Sequence, residues 1–327
     1  MAEPGVVALG IDVGGSKVAM GIVAADGSIL ARDRVVNREH RRKDLLGEVA
    51  RRAALLAAAA PAGTVLAGVG VGICELVDPG GQVVSSVSIP WSRAELDEAL
   101  SGPGPVSIDA DVRAAARAEG RFGAGRPHAS FGYVTVGTGI SSCLVLDGEP
   151  WVGAHGAAQL LGSGSLALPC PHCGRGLECS LEDVGSGAAI ASRYRNRSGS
   201  AAAGADVVLA AASSGDAIAG EVVGEATDAL GGFLAMFVNI TDPEALIVGG
   251  GLGSAPGPFR DRVFAAVRRH VWAPAARSLP IHPAELGPEA GVVGAGWQVL
   301  REGTRKGTLA SRGRARAGAA STAASRT

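Results

Sequence analysis

Apolar positions fall in short runs that end on glycine turns. Residues 6–11 (VVALGI) form one run, which stops at Asp12 and the pair Gly14-Gly15, and residues 18–23 (VAMGIV) resume it. Asp26-Gly27 is a hairpin signal, and the alternating segment 28–36 follows it, so the chain is predicted to open with antiparallel strands. Residues 43–60 repeat apolar positions at helical spacing and stop at Pro61. A buried strand over 65–73, a short helix over 93–100 and a strand over 105–109 come next, with a helical stretch at 114–119 that opens just after Asp111. A second cycle repeats the scheme: strand 131–137, glycine turn, strand 142–146 and a turn at Asp147-Gly148. A helix over 217–238, a strand over 245–249 and a helix over 259–271 complete it. Two similar cycles of strands and helices predict two α/β lobes.

Composition narrows the function. Of 327 residues 47% are hydrophobic, enough for buried cores, which excludes a wholly disordered chain. Only 4% are aromatic while 50 are glycine, so backbones can approach ligands and one another closely. With 30 basic and 31 acidic side chains the net charge is −1, unlike proteins that blanket nucleic-acid phosphates or anionic membranes. No apolar run reaches the roughly 18–20 residues of a membrane helix, and no basic segment leads an apolar core at the start. A cytoplasmic location is the expectation. Residues 303–327 hold six basic side chains and no acidic one amid Gly, Ala, Ser and Thr, a predicted disordered tail without the aromatics of a nucleic-acid binder. Of five cysteines, Cys170, Cys173 and Cys179 cluster, which in a cytosolic chain reads as a metal site before a disulfide framework. Cys74 and Cys143 sit beside apolar runs and read as small buried hydrophobes.

Three glycine turns carry the chemistry. The first is Asp12-Val13-Gly14-Gly15-Ser16-Lys17, directly after a predicted strand. Its backbone N–H groups can form an anion-holding concavity, Ser16 and Lys17 adding a hydroxyl and a positive charge. Asp12 would repel phosphate directly and suits Mg²⁺ held through water. Gly137-Thr138-Gly139 and Gly249-Gly250-Gly251 also follow strands, and none of the three matches a P-loop or a dinucleotide fingerprint. Any one alone serves equally as a tight turn, but three at strand ends suggest a nucleotide whose phosphates lie between two lobes.

Those turns, with Asn239-Ile-Thr-Asp-Pro-Glu-Ala-Leu-Ile-Val-Gly-Gly-Gly and Ala290-Gly-Val-Val-Gly-Ala, resemble the ROK family (repressors, open reading frames, sugar kinases) of the actin-like ATPase superfamily. The resemblance runs from about residue 6 to residue 302. It implies an α/β fold of two ribonuclease-H-like lobes with an interlobe cleft, ATP and Mg²⁺ as cofactors, and sugar at the base of the cleft. The lobes are expected at 1–118 and 119–302, the second bearing the Cys-rich loop. The expected partners are a small-molecule sugar or cyclitol and a second copy of the chain in a homodimer, with no nucleic acid and no membrane.

The family's catalytic block, Glu-Asn-Asp-Ala-Asn-Ala-Ala-Ala-Leu-Gly-Glu, matches Asp109 to Glu119 and sets its carboxylate on Asp111. A carboxylate there can take the proton of a primary hydroxyl as it attacks the γ-phosphate, although an Asp in this place can also cap the following helix. Substrate binding falls to Asp111, Glu182 and Asp109. The sugar-binding Asn of the family is Ala110 here, and its Gly-Ala-His-Gly-Ala-Ala-Gly-Glu-Ile-Gly-His block reads Gly153 to Ser163, with Leu160 for the sugar-binding Glu and Ser163 for the His. Each lost partner of a sugar hydroxyl costs roughly 1–3 kcal/mol, so a modified hexose is expected rather than glucose. The surviving acidic set favours an amino hexose such as kanosamine, in secondary-metabolite or antibiotic biosynthesis, with a valiolone-type C7-cyclitol next and ordinary glucokinase activity after it. The zinc motif of the family reappears with an extra residue in each interval, so Cys170, Cys173 and Cys179 are expected to hold structural Zn²⁺, with His172, another residue or water as fourth ligand. His155 is read as packing or orienting its loop. A family repressor would carry a DNA-binding domain before the first glycine turn, where only about ten residues stand. A sugar sensor would not need the intact Asp12, Gly137 and Gly249 blocks.

Overall fold

The computed structural model describes residues 5–37, 42–169, 176–200 and 204–303. They divide into two compact units: residues up to Ala115 together with those from Gly291 onward, and Ala116–Ala290.

The first unit is built on five strands, β1 (Gly5–Val13), β2 (Lys17–Ala24), β3 (Ile29–Val36), β4 (Thr64–Ile73) and β5 (Val106–Ala110), in the order β3-β2-β1-β4-β5. β1 is antiparallel to β2 and parallel to β4, which is parallel to β5. β1 sits mid-sheet and is buried nearly throughout its length, whereas edge strand β3 (ILARDRVV) alternates exposed and covered residues. Its charged side chains blunt an edge that could otherwise recruit another strand. Gly27, at φ +85°, makes the predicted hairpin between β2 and β3. α1 (Arg42–Ala58) and α2 (Arg93–Leu100) cover the sheet, α2 opened by a Ser92–Glu95 capping box. α3 (Asp111–Phe122) starts directly where β5 ends.

A helix over residues 290–303 completes this unit. It lies backbone-on-backbone against β1 and β4: a Cβ on Gly10 would fall 2.1 Å from the Val292 carbonyl, and one on Gly70 would fall 1.9 Å from that of Ala295. A Cβ on Gly294 would meet the Ala114 carbonyl at 1.7 Å. Glycine is therefore required on both sides of this contact. The expected division at 118 and 302 changes accordingly, because residues 291–302 return to the first unit. Periodicity marks that segment as apolar but cannot tell which sheet it covers.

The second unit carries β6 (Ser130–Val136), β7 (Ile140–Leu146), β8 (Glu149–Pro150), a separate hairpin of β9 (Ser165–Pro169) and β10 (Gly176–Ser180), then β11 (Ala245–Gly249) and β12 (Ile281–Pro283). Its five-stranded sheet runs β12-β11-β6-β7-β8, with β6 parallel to β11 and antiparallel to β7. The helices are α4 (Glu182–Gly185), α5 (Gly187–Ser198), α6 (Ala205–Ser213), α7 (Ala217–Thr241), α8 (Gly250–Gly253) and α9 (Pro258–His270). α7 supplies Val222, Leu230, Leu234 and Val238 to a core shared with Val134 and Val248 of the sheet. Among the described residues no single helix is long and apolar enough to cross a membrane; α6 and α7 pass only as a pair bent by 115°.

Candidate active site

Strand register assembles the acidic centre of the first unit. Gly72 of β4 pairs with Asp12 of β1 on one side and Asp109 of β5 on the other. Asp111 begins α3 two residues later, and Gly72 leaves it room, since a Cβ there would lie 3.3 Å from the Asp111 Cα. Asp12 and Asp111 are both half-buried. Burial pushes Asp111 up to about 7, the negative charge of Asp12 adds to the rise, and the Val112 N–H bond and Arg113 oppose it. Burial raises Asp12 to about 6 against the pull of Lys17. The pair holds its charge reluctantly near neutral pH. That suits a hard cation, which would relieve both, and it suits a base poised to take a proton.

The capping role is not what Asp111 performs. Its carboxylate accepts from Val112 N–H at 2.6 Å, the next residue, and from no second or third helical N–H. Asp109, expected to share in substrate binding, is the partner of an arginine in this structure. It is 7% exposed and its carboxylate is engaged by Arg113 Nε at 2.5 Å, four residues on, while Arg113 Nη2 donates to the Val77 carbonyl at 2.6 Å. A carboxylate held in this way braces the start of α3. Ala110 is likewise buried.

The first glycine turn is the β1–β2 hairpin end. Gly14 N–H donates to the Lys17 carbonyl at 3.0 Å, and Asn37 clamps the turn through its Nδ2 on the Gly14 carbonyl at 2.8 Å. Gly15, Ser16 and Lys17 are exposed. The other two turns come together in the second unit. Gly137–Gly139 closes the β6–β7 hairpin, and a Cβ on Gly137 would lie 3.8 Å from Gly251 N. Gly187, at the start of α5, donates to the Gly137 carbonyl at 2.7 Å. Gly249 ends β11, and Gly250 adopts φ +80°, where a Cβ would stand 2.5 Å from the Val136 carbonyl. Thr138 sits between the two hairpin glycines. Beside Gly251 opens a cavity of about 500 Å³ lined by Leu209, Ser213, Val223, Leu252, Pro258 and Arg262. Nothing in the sequence pointed to it, since its wall combines α6, α7, α8, α9 and the loop before α9.

Glu182 is exposed at the start of α4, and its Oε2 accepts from Ile140 N–H at 2.7 Å, against the Gly137–Gly139 turn. Leu160 and Ser163 are exposed. His155, read as packing or orienting its loop, is also exposed. Cys143 is buried as expected; Cys74 is half-buried and packs against the core, its thiol pushed up to about 12 chiefly by burial and then by Asp111. Cys170 and Cys173, with the expected zinc, lie outside the described residues, while Cys179 is half-buried with its thiol 3.8 Å from the Leu166 carbonyl. Among the described residues no three His, Cys, Asp or Glu side chains form a metal cluster.

Two mixed sheets with glycine turns at strand ends, and a carboxylate pair at a strand-to-helix junction, define an α/β protein of the actin-like ATPase type. The comparisons place it further. The sequence profile of the ROK family matches residues 8–302, and the chain belongs to that family. It is 27% identical to a glucokinase of Streptomyces coelicolor over 310 residues, covering 88% of this chain and 95% of that one. It is 26% identical to an N-acetylmannosamine kinase of Vibrio cholerae, over 89% of this chain and 98% of that one. A solved ROK family glucokinase from Streptomyces griseus, in complex with glucose and AMPPNP, superposes with a TM-score of 0.73 at 27% identity, covering 88% of this chain and 97% of that one.

Proposed function

We propose that this enzyme, an ATP-dependent sugar phosphotransferase, phosphorylates the primary hydroxyl of a modified hexose, with Asp111 as general base. Kinases of hexose and of N-acetylmannosamine among its relatives carry the coarser statement of a sugar kinase. The observation behind the mechanism is the Asp12–Asp111 pair, with Asp111 raised to about 7 where β5 passes into α3. Asp111 takes the hydroxyl proton as the sugar oxygen bonds to the γ-phosphorus and ADP departs with the electrons of the broken P–O bond. Asp12 would hold Mg²⁺, which offsets charge on the phosphates when bound. The Gly137–Gly139 and Gly249–Gly251 turns offer N–H groups and side-chain-free space for phosphates, and the adjoining cavity has the size and largely apolar lining for a nucleobase. Three thiolates, Cys170, Cys173 and Cys179, form a donor set suited to structural zinc.

Ala110, Leu160 and Ser163 support a rewritten sugar shell. An amino hexose such as kanosamine remains the favoured acceptor, with Asp109, paired to Arg113, the least available of the acidic set that would meet its ammonium group. The test is competitive, because specificity is a difference in transition-state affinity. kcat/KM is measured by ADP release for kanosamine, glucosamine, glucose, N-acetylmannosamine and a valiolone-type cyclitol under identical ATP and Mg²⁺. Kanosamine is expected to lead. Glucose ahead by about tenfold or more refutes the rewritten shell, and a cyclitol ahead refutes the ammonium preference alone.

A further inference from the structure

Glu75 is a buried acid that the mechanism above does not use. It stands two residues past the end of β4, inside an otherwise apolar stretch, and is 6% exposed. Its carboxylate collects four donors from one short segment: Val87 N–H at 2.9 Å, Ser88 N–H at 2.5 Å, Ile89 N–H at 2.8 Å, and the Ser85 hydroxyl. Ser85 Oγ in turn accepts from Leu76 N–H at 2.8 Å. Burial alone would raise this carboxyl, but the Ser85 and backbone hydrogen bonds outweigh it and hold Glu75 below the usual carboxylate range. The segment 85–89 is therefore folded around an anion that belongs to the protein itself.

What this arrangement presents is specific. Ile89 points into the core, whereas Ser86, Val87 and Ser88 face solvent, Val87 at 84% exposure. The Ser86 and Ser88 hydroxyls make no hydrogen bond among the described residues. Two uncommitted hydroxyls flanking an apolar side chain, on a backbone fixed by four hydrogen bonds, match a sugar ring, which offers hydroxyls at its edge and C–H groups on its face. The stretch that carries Glu75 is in turn tied to the carboxylate pair. Cys74, next to Glu75, donates its N–H to the Val13 carbonyl at 3.0 Å, and its thiol feels the charges of Asp111, Glu75 and Asp12 together. Arg113, in the first turn of α3 with Asp111, holds the Val77 carbonyl of the same stretch.

We infer that Glu75 is a positioning residue for the acceptor, holding segment 85–89 so that Ser86, Val87 and Ser88 contact the sugar presented to Asp111. This rests on the kinase reading above and deepens it. The test is calorimetric titration, without nucleotide, of kanosamine, glucose and N-acetylmannosamine into wild type, S86A/S88A, E75A and E75Q, with ATP titrated separately. The serine pair is exposed, so S86A/S88A keeps the fold, and it is expected to weaken sugar binding about tenfold or more, an ordinary loss for two hydrogen bonds. E75A is expected to do the same, E75Q to recover part of the loss through its remaining acceptor oxygen, and ATP affinity to stay within about twofold in all three. Unchanged sugar affinity in S86A/S88A, or an equal loss of ATP affinity, overturns the inference while leaving the kinase reading in place. A wild type that binds none of the three sugars overturns both.

Discussion

Replacing Asp111 with Asn should separate catalysis from stability in opposite directions. The substitution removes the only proton acceptor proposed at the reacting hydroxyl, so turnover is expected to fall roughly 10²–10⁴-fold. The stability effect follows from the environment of the carboxyl. Its value rises from 3.8 to about 7 because burial and Asp12 disfavour the charged form. The folded protein then binds this proton more tightly than the unfolded chain does, so stability is lost as pH rises from about 4 through 7. At 1.36 kcal/mol per pH unit the loss is at most about 4 kcal/mol, and the solvent that reaches a half-buried group brings it nearer 1–2 kcal/mol. Asn carries no charge at any pH. Metal-free Asp111→Asn protein should therefore melt a few degrees above wild type at pH 8 and level with it near pH 4. In an Asp12→Asn background the increment from Asp111→Asn at pH 8 should be smaller, since the like charge has gone. Thermal melts at pH 4, 6 and 8 in chelator, beside ADP-release rates, read both effects. A variant no more stable than wild type at pH 8 refutes the account of the pair, and near-normal turnover refutes the base.

Asp109→Asn is expected to behave the other way: it strands the buried Arg113 charge and should cost about 3–5 kcal/mol by denaturant titration, while any folded fraction keeps measurable turnover. Gly250→Ala forces a Cβ onto the Val136 carbonyl at a left-handed φ, so ATP affinity measured by calorimetry should drop about tenfold or more. Protein purified without chelator should contain about one zinc per chain by elemental analysis, and Cys179→Ser should lower that content.

Much of the fold was legible because it is written in local periodicity. The three opening strands, the run at 65–73 and the long helix from 217 all stand where apolar spacing put them. The pair β9–β10 is too short to show a period, and helices α5 and α6 are rich in Ala, Gly and Ser, which give little contrast between faces. The 290–303 helix was legible only as part of a family motif; its place depends on the absent side chains of Gly10 and Gly70, a tertiary complementarity that no single window displays. At the site, Asp12, Asp111 and the glycine turns could be read from strand-then-turn order. The pairing of Asp109 with Arg113 could have been suspected from an acid and a base four residues apart across the strand-to-helix junction. Glu75 left a fainter signal, an acid within an apolar run.

The acids of the first unit can be sorted by what satisfies them. Asp109 is neutralised by a guanidinium, and Glu75 is surrounded by three N–H groups and a hydroxyl. Each is buried at acceptable cost because donors replace the water it lost. Asp111 receives one N–H bond, and Asp12 receives none among the described residues, yet both are drawn out of bulk water. Satisfied acids brace the scaffold, and their removal should show in stability. Undersatisfied acids carry a free-energy deficit that a cation or a transferred proton can relieve, which makes them the groups able to do chemistry. Residue type alone does not divide the four, because all are carboxylates within 100 residues of chain. The number of donors each one meets does, and on that measure Asp12 and Asp111 form the reactive pair.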